Sequence, residues 1–232
     1  GTAVTNIAGS ITSSVSANPS AGFSVGTYTG TIANASVGHG LGVAPRMIIA
    51  RNRTNVVNWI VYHANLTSAS YYLTLDETNG QTSNSIFWQG VAPTSTVFSL
   101  GANSSCNGST SNIAYCFAPI SGYSAFGSYT GNGSTDGPFV YCGFRPRFVL
   151  IKIISSATHW VIIDSSRDTY NVMPSRQCPN LALSDATLSD PTCDFLSNGF
   201  KARTTTATSN QSGSTYICAA FAENPFNISR AR

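Results

Sequence analysis

Short apolar runs punctuated by Gly, Asn, Ser and Pro recur along the whole chain, and none has the i, i+3, i+4 spacing of an amphipathic helix. Met47–Arg51 and Phe148–Ile154 are mostly apolar and closed by turn residues, the pattern of buried strands. Pro45 and Pro146 stand just before them, where a missing N–H costs a ladder nothing. Trp59–Tyr62, Ile113–Ala118, Trp160–Ile163 and Ile217–Ala222 read as further strands, and Asn107-Gly108 and Asn132-Gly133 as tight-turn dipeptides. Only the stretch 181–188 suggests a short turn of helix. Many short strands with this punctuation predict an all-β chain, a sandwich or a barrel.

The pattern also repeats itself. Gly26-Thr-Tyr-Thr-Gly30 is matched by Gly127-Ser-Tyr-Thr-Gly131, and the segment Gly42–Arg51 by Gly143–Lys152. Trp59-Ile-Val-Tyr62 is matched by Trp160-Val-Ile-Ile163, and all three pairs stand 101 residues apart. A fixed register over three blocks predicts two tandem homologous β-sandwich repeats of jelly-roll type, residues 23–120 and 121–232. Residues 1–22, rich in Ser, Thr, Ala and Gly, read as a linker with a leading edge strand near Ile11–Val15. With Gly1 at its start, the chain is expected to be the C-terminal piece of a larger protein.

Composition narrows the setting. Hydrophobic residues are 42%, enough for a sizeable core, yet charged residues are only 9% where about 25% is usual. A surface of hydroxyls and amides suits an extracellular or particle-borne β protein. The net charge of +3 is spread over two loose groups, Arg46, Arg51 and Arg53, and Arg145, Arg147 and Lys152. Both read as solvated strand ends, too sparse for a phosphate-binding stripe, so no nucleic-acid partner is expected. No apolar run approaches the roughly 20 residues of a membrane span, and no membrane insertion is expected. The six cysteines include no CxxC pair. Cys178 and Cys193, which bracket an irregular stretch with Pro179 and Pro191, are the candidate disulfide, whereas Cys116, Cys142 and Cys218 read as buried thiols.

Few residues suggest chemistry. His39, His63 and His159 are far apart and form no HxH or HExxH spacing, so neither a metal nor another cofactor is expected. There is no GxSxG elbow, and the chain reads as a non-enzyme. Asp164 and Asp168 flank Ser165-Ser166-Arg167; they are either a carboxylate pair of glycosidase type or neighbours of Arg167 in an ion pair. Trp59 and Trp160, duplicated in register, point to a shared core role. Trp88 has no counterpart and shares a long variable stretch with Tyr71 and Tyr72. Rings beside amides and hydroxyls are what stacking on a sugar requires, and a core or interface role is the other reading. Asn-x-Ser/Thr sequons at Asn34, Asn52, Asn65 and Asn132 follow from so Ser/Thr/Asn-rich a composition.

Several segments go beyond composition. They are Val37-Gly-His-Gly-Leu-Gly-Val-Ala-Pro45, Tyr129-Thr-Gly-Asn-Gly-Ser134, Gly137-Pro-Phe-Val140, Phe195-Leu-Ser-Asn-Gly-Phe-Lys201 and Ala220-Phe-Ala-Glu-Asn-Pro-Phe226. On these the chain resembles the C-terminal region of tailed-bacteriophage virion proteins of marine and cyanophage type, which carry a repeated domain of unassigned function. The resemblance covers essentially the whole chain and names no reaction. It implies a tail fibre or tail structural component on the virion, synthesised in the host cytoplasm and attaching to a host surface glycan or protein. Capsid decoration without receptor binding and a tail-borne polysaccharide depolymerase are the alternatives. It also implies a homotrimer, joined to other virion proteins through an N-terminal region upstream of Gly1.

Overall fold

The structure, a computed structural model, describes residues 1–182, 186–187 and 192–224. The chain divides into two compact units: Gly1–Leu75 with Gln81–Pro119, and Asp76–Gly80 with Ile120–Arg232. Both are all-β, built from antiparallel sheets.

Unit 1 contains β1 (Val4–Asn6), β2 (Ser13–Asn18), β3 (Phe23–Thr29), β4 (Ala35–Gly38), β5 (Met47–Asn52), β6 (Ile60–His63), β7 (Tyr71–Thr74), β8 (Thr82–Ser83), β9 (Val97–Leu100) and β10 (Ser111–Phe117). Eight of them form one sheet in the order β1-β2-β3-β10-β5-β6-β7-β8, while β4 and β9 pair as a separate ribbon. The core lies between: Tyr28, Ile48, Ala50, Ile60, Tyr62, Ala114 and Cys116 come from the sheet, and Val37, Phe98 and Leu100 from the ribbon. A single helical turn, α1 (Ser104–Asn107), leads into β10. Asn107-Gly108 therefore ends a helical turn instead of making a hairpin.

Residues 1–22 are not a linker. β1 is the sheet edge and β2 an interior strand, with Val15 opposite Gly26 and both Ser13 and Val15 buried. Backbone ladders bind through N–H and C=O groups, so a run of Ser, Thr and Ala can pair as firmly as an apolar one.

Unit 2 contains β11 (Ser124–Thr130), β12 (Phe139–Tyr141), β13 (Pro146–Ile153), β14 (Val161–Asp164), β15 (Ser175–Arg176), β16 (Ala186–Thr187), β17 (Cys193–Leu196), β18 (Gly199–Ala202) and β19 (Thr215–Ala222). Its main sheet runs β11-β19-β13-β14, the same order as β3-β10-β5-β6 in unit 1. A second sheet, β12-β18-β17, faces it in sandwich fashion. Val149, Ile151, Val161 and Tyr216 meet Val140, Phe195 and Phe200 in one core. β15 and β16 form a short ribbon. Of the helical turn expected over 181–188, residues 183–185 and 188 lie outside the described residues, 181–182 are not helical, and Ala186–Thr187 is strand.

Lys152 on β13 is fully buried, and its Nζ donates to the carbonyls of Thr78 and Thr158 at 3.0 Å each. Burial without a carboxylate partner among the described residues pulls its pKa down to about 8. All six cysteines are free, so the expected Cys178–Cys193 disulfide does not form. Cys193 is buried on β17 opposite Ala202, whereas Cys178 follows Gln177, which pairs with Ile162; the two thiols belong to different ladders. Among the described residues no helix is long and apolar enough to cross a membrane.

Candidate functional site

Side chains alternate between the two faces of a strand, and in unit 1 both faces of the main sheet carry apolar groups. On β3 the inward set is Ser24, Gly26 and Tyr28; on β10 it includes Ala114 and Cys116, and on β5 Ile48, Ala50 and Asn52. On the outward face Phe23 is exposed, and Val25 and Thr27 on β3, Ile113, Tyr115 and Phe117 on β10, and Ile49 and Arg51 on β5 are half-buried, whereas Met47 on β5 and Val61 and His63 on β6, on the same face, are buried. Register places Phe117 opposite Phe23, and Ile113 opposite Arg51. Pairing of Ala50 with Ile60 brings Trp59, just before β6, beside Arg51.

The outward rings form a continuous ladder. Phe117 lies 5.0 Å from Phe23, Phe23 stacks 6.5 Å from Tyr115, and Tyr115 lies 6.2 Å from Trp59. The Arg51 guanidinium ends the series, 5.1 Å above the Trp59 ring. Phe23 is 37% exposed, so the ladder reaches solvent. Trp59 is half-exposed here, while Trp160 is buried; the two tryptophans matched in the sequence do not share one core role.

The charged side chains of unit 1 have one sign. Unit 1 contains Arg46, Arg51 and Arg53 and no carboxylate, because Asp76 and Glu77 fall in the segment that packs with unit 2. Unit 2 holds the other nine basic side chains (12 − 3) and all nine carboxylates, so the formal charge of +3 resides in unit 1. Arg46 donates to Asn65 Oδ1 at 2.9 Å. Among the described residues Arg51 forms no ion pair, and its Nε is buried without an acceptor.

The residues singled out from sequence lie elsewhere. Trp88 is 2% exposed in the core, its ring edge-on to Tyr62 at 6.0 Å, and cannot stack on a sugar from there. Tyr72 packs against the same core with its ring 4.0 Å from Phe87. Tyr71, adjacent on β7, points to the opposite face and is half-exposed. These three do not converge. Asp164 Oδ1 accepts from the backbone N–H groups of Ser166 and Arg167, and its Oδ2 pairs with Arg167 Nη1 at 2.9 Å. Asp168 accepts from the N–H and hydroxyl of Ser175 at 2.7 and 3.0 Å. Both carboxylates thus staple the loop between β14 and β15.

Other reactive groups are similarly engaged. His39 is buried with Nε2 against Thr94 O and Nδ1 accepting from Leu41 N–H, an arrangement that suits the neutral ring, and burial lowers its pKa. Burial pushes the Cys106, Cys116 and Cys218 thiols up to about 12, far from thiolate chemistry near neutral pH. Among the described residues no three His, Cys, Asp or Glu side chains converge as metal ligands.

The ladder escaped the sequence reading because its members come from four separate segments. Its signal was the apolar character of both parities in 113–117 and the outward parity of 23–27. No curated protein and no solved structure matches the chain. A family model described as a domain of unknown function, DUF7483, matches residues 1–225, and the chain belongs to that family.

Proposed function

We propose that this chain is a non-enzymatic attachment module on the surface of a tailed-bacteriophage particle, the receptor-binding part of a tail fibre or spike. The observation that carries the reading is the outward ladder Phe117–Phe23–Tyr115–Trp59. A row of partly exposed rings on a rigid sheet, successive rings inclined by 17° to 40°, suits stacking against the apolar faces of sugars, while surrounding hydroxyls and amides can read their polar edges. The sequence resemblance to phage virion proteins supplies the particle. Engagement of Asp164 and Asp168 in loop hydrogen bonds favours binding over depolymerase chemistry.

The scaffold is two copies of one β-sandwich repeat. Supporting this are the shared strand order and a matched pair of corners. Tyr28 donates to Cys106 O, and Tyr129, 101 residues later, donates to Ser209 O. In the virion the chain is a homotrimer held by neighbouring virion proteins, an arrangement that protects the edges of open sheets.

The test is competition. The purified chain should label cells of the host bacterium and reduce phage adsorption at saturating concentration, and failure in both removes the attachment reading. Gold-labelled antibody on intact virions should mark distal tail or fibre tips. Label confined to the head would make the protein a capsid decoration.

A further inference from the structure

Building on the attachment reading, we infer that the ladder takes an acidic polysaccharide, with sugar rings on Phe23, Tyr115 and Trp59 and an anionic substituent at Arg51. The rings alone would serve any sugar. What favours the acidic class is the Arg51 guanidinium at the end of the ladder, in a unit whose own charged side chains are Arg46, Arg51 and Arg53. Arg51 sits over the last ring of the ladder, 5.1 Å from the Trp59 centroid, without an ion pair among the described residues. A planar guanidinium held by a ring has little freedom left to lose, and its fork matches a carboxylate or sulfate in two parallel hydrogen bonds. Arg53, exposed and two residues on at the same parity, extends the positive end of the ladder.

Single-stranded nucleic acid also combines stacking with positive charge. It demands cations along the whole backbone track, whereas unit 1 has no Lys and its arginines fall within residues 46–53. A charge at one end of a row of rings fits a chain whose sugar faces lie on the rings while one anionic substituent reaches Arg51.

The experiment uses the full chain in affinity electrophoresis against polygalacturonate, alginate, the methyl ester of each, dextran and oligo(dT). Expected are retardation by the two acids and at least tenfold weaker retardation by their esters, which keep the sugar and remove the charge. Arg51→Gln should weaken binding to the acids about tenfold and leave the esters unchanged, Arg51→Lys should recover part of the loss, and Trp59→Ala should abolish both. Thermal midpoints of the variants separate lost binding from lost fold. Equal binding of acid and ester overturns the inference while cell attachment still stands. Preference for oligo(dT), or no binding to either acid, overturns it as well; absence of cell labelling is what removes the attachment reading itself.

Discussion

The hydroxyl of Tyr28 donates a 2.6 Å hydrogen bond to the carbonyl of Cys106, joining the middle of the main sheet to the turn that precedes β10. Both groups are buried, and burial drives the phenol well above its ordinary pKa, so this proton stays in place across the neutral range. Tyr28→Phe keeps the ring and leaves the Cys106 carbonyl unpaired. The expected loss is about 1–2 kcal/mol in urea unfolding. Tyr129→Phe, which frees Ser209 O, should cost a similar amount, and losses below about 0.5 kcal/mol in both would deny the corners a structural role.

Asn107 sits beneath the same corner with no exposed surface. Its Oδ1 accepts from Thr31 N–H, while its Nδ2 donates to Ala33 O at 2.7 Å and Gly101 O at 2.9 Å. A Cβ at Gly30 would overlap the backbone of Asn107, so the chain passes close only because residue 30 is Gly. Asn107→Ala should cost about 2–3 kcal/mol through orphaned backbone groups. Asn107→Asp should cost more, because its second oxygen faces two carbonyls. An aspartate variant more stable than the alanine variant at pH 7 would contradict this network.

Core and ladder aromatics should separate cleanly on mutation. Trp88→Ala opens a cavity in a fully packed site and should cost about 3–5 kcal/mol with no selective effect on polysaccharide binding. Tyr115→Ala removes a half-exposed ring and should cost about 1 kcal/mol while weakening binding severalfold. Calorimetric melting with affinity electrophoresis on the same samples gives both readouts. A destabilised Tyr115→Ala with normal binding would return the ladder to a packing role.

The contrast between these residues also explains what the sequence could and could not reveal. Apolar runs such as Met47–Arg51 and Phe148–Ile154 announce strands because Val, Ile and Phe suit a pleated, buried surface, and β5 and β13 lie there. Which face is buried is another matter. In Phe23–Thr29 the inward parity is Ser24, Gly26 and Tyr28, and the bulky Phe23 and Val25 point out, the reverse of simple alternation. Small inward residues leave room for the aromatic packing of Tyr28 on Phe98, a tertiary fact without local signature. For Trp88 the core reading holds and the sugar-stacking one does not, since its polar sequence neighbours are not its spatial ones. Arg167, by contrast, was legible as a partner for Asp164, because three residues in a tight loop bring such charges together.

Alkaline pH should destabilise the chain, with the sign set by its buried thiols. Burial raises Cys106, Cys116, Cys142 and Cys218 to about 12 and Cys193 higher still, from an ordinary value near 9. Above pH 9 the unfolded chain releases these protons and the folded chain keeps them. Their contribution is therefore complete below about pH 9 and is lost as pH rises toward 12. Lys152 opposes them: unfolded it holds its proton to about 10.5, folded only to about 8, so its contribution grows between those values. Each group acts at about 1.4 kcal/mol per pH unit inside its window, and five thiols outweigh one amine. Stability should fall by about 5 kcal/mol between pH 8 and pH 10, read as a drop in the urea midpoint. Cys116→Ala should flatten that fall and Lys152→Met should steepen it. A midpoint unchanged from pH 8 to pH 10 would show that these thiols are reached by water in the folded chain.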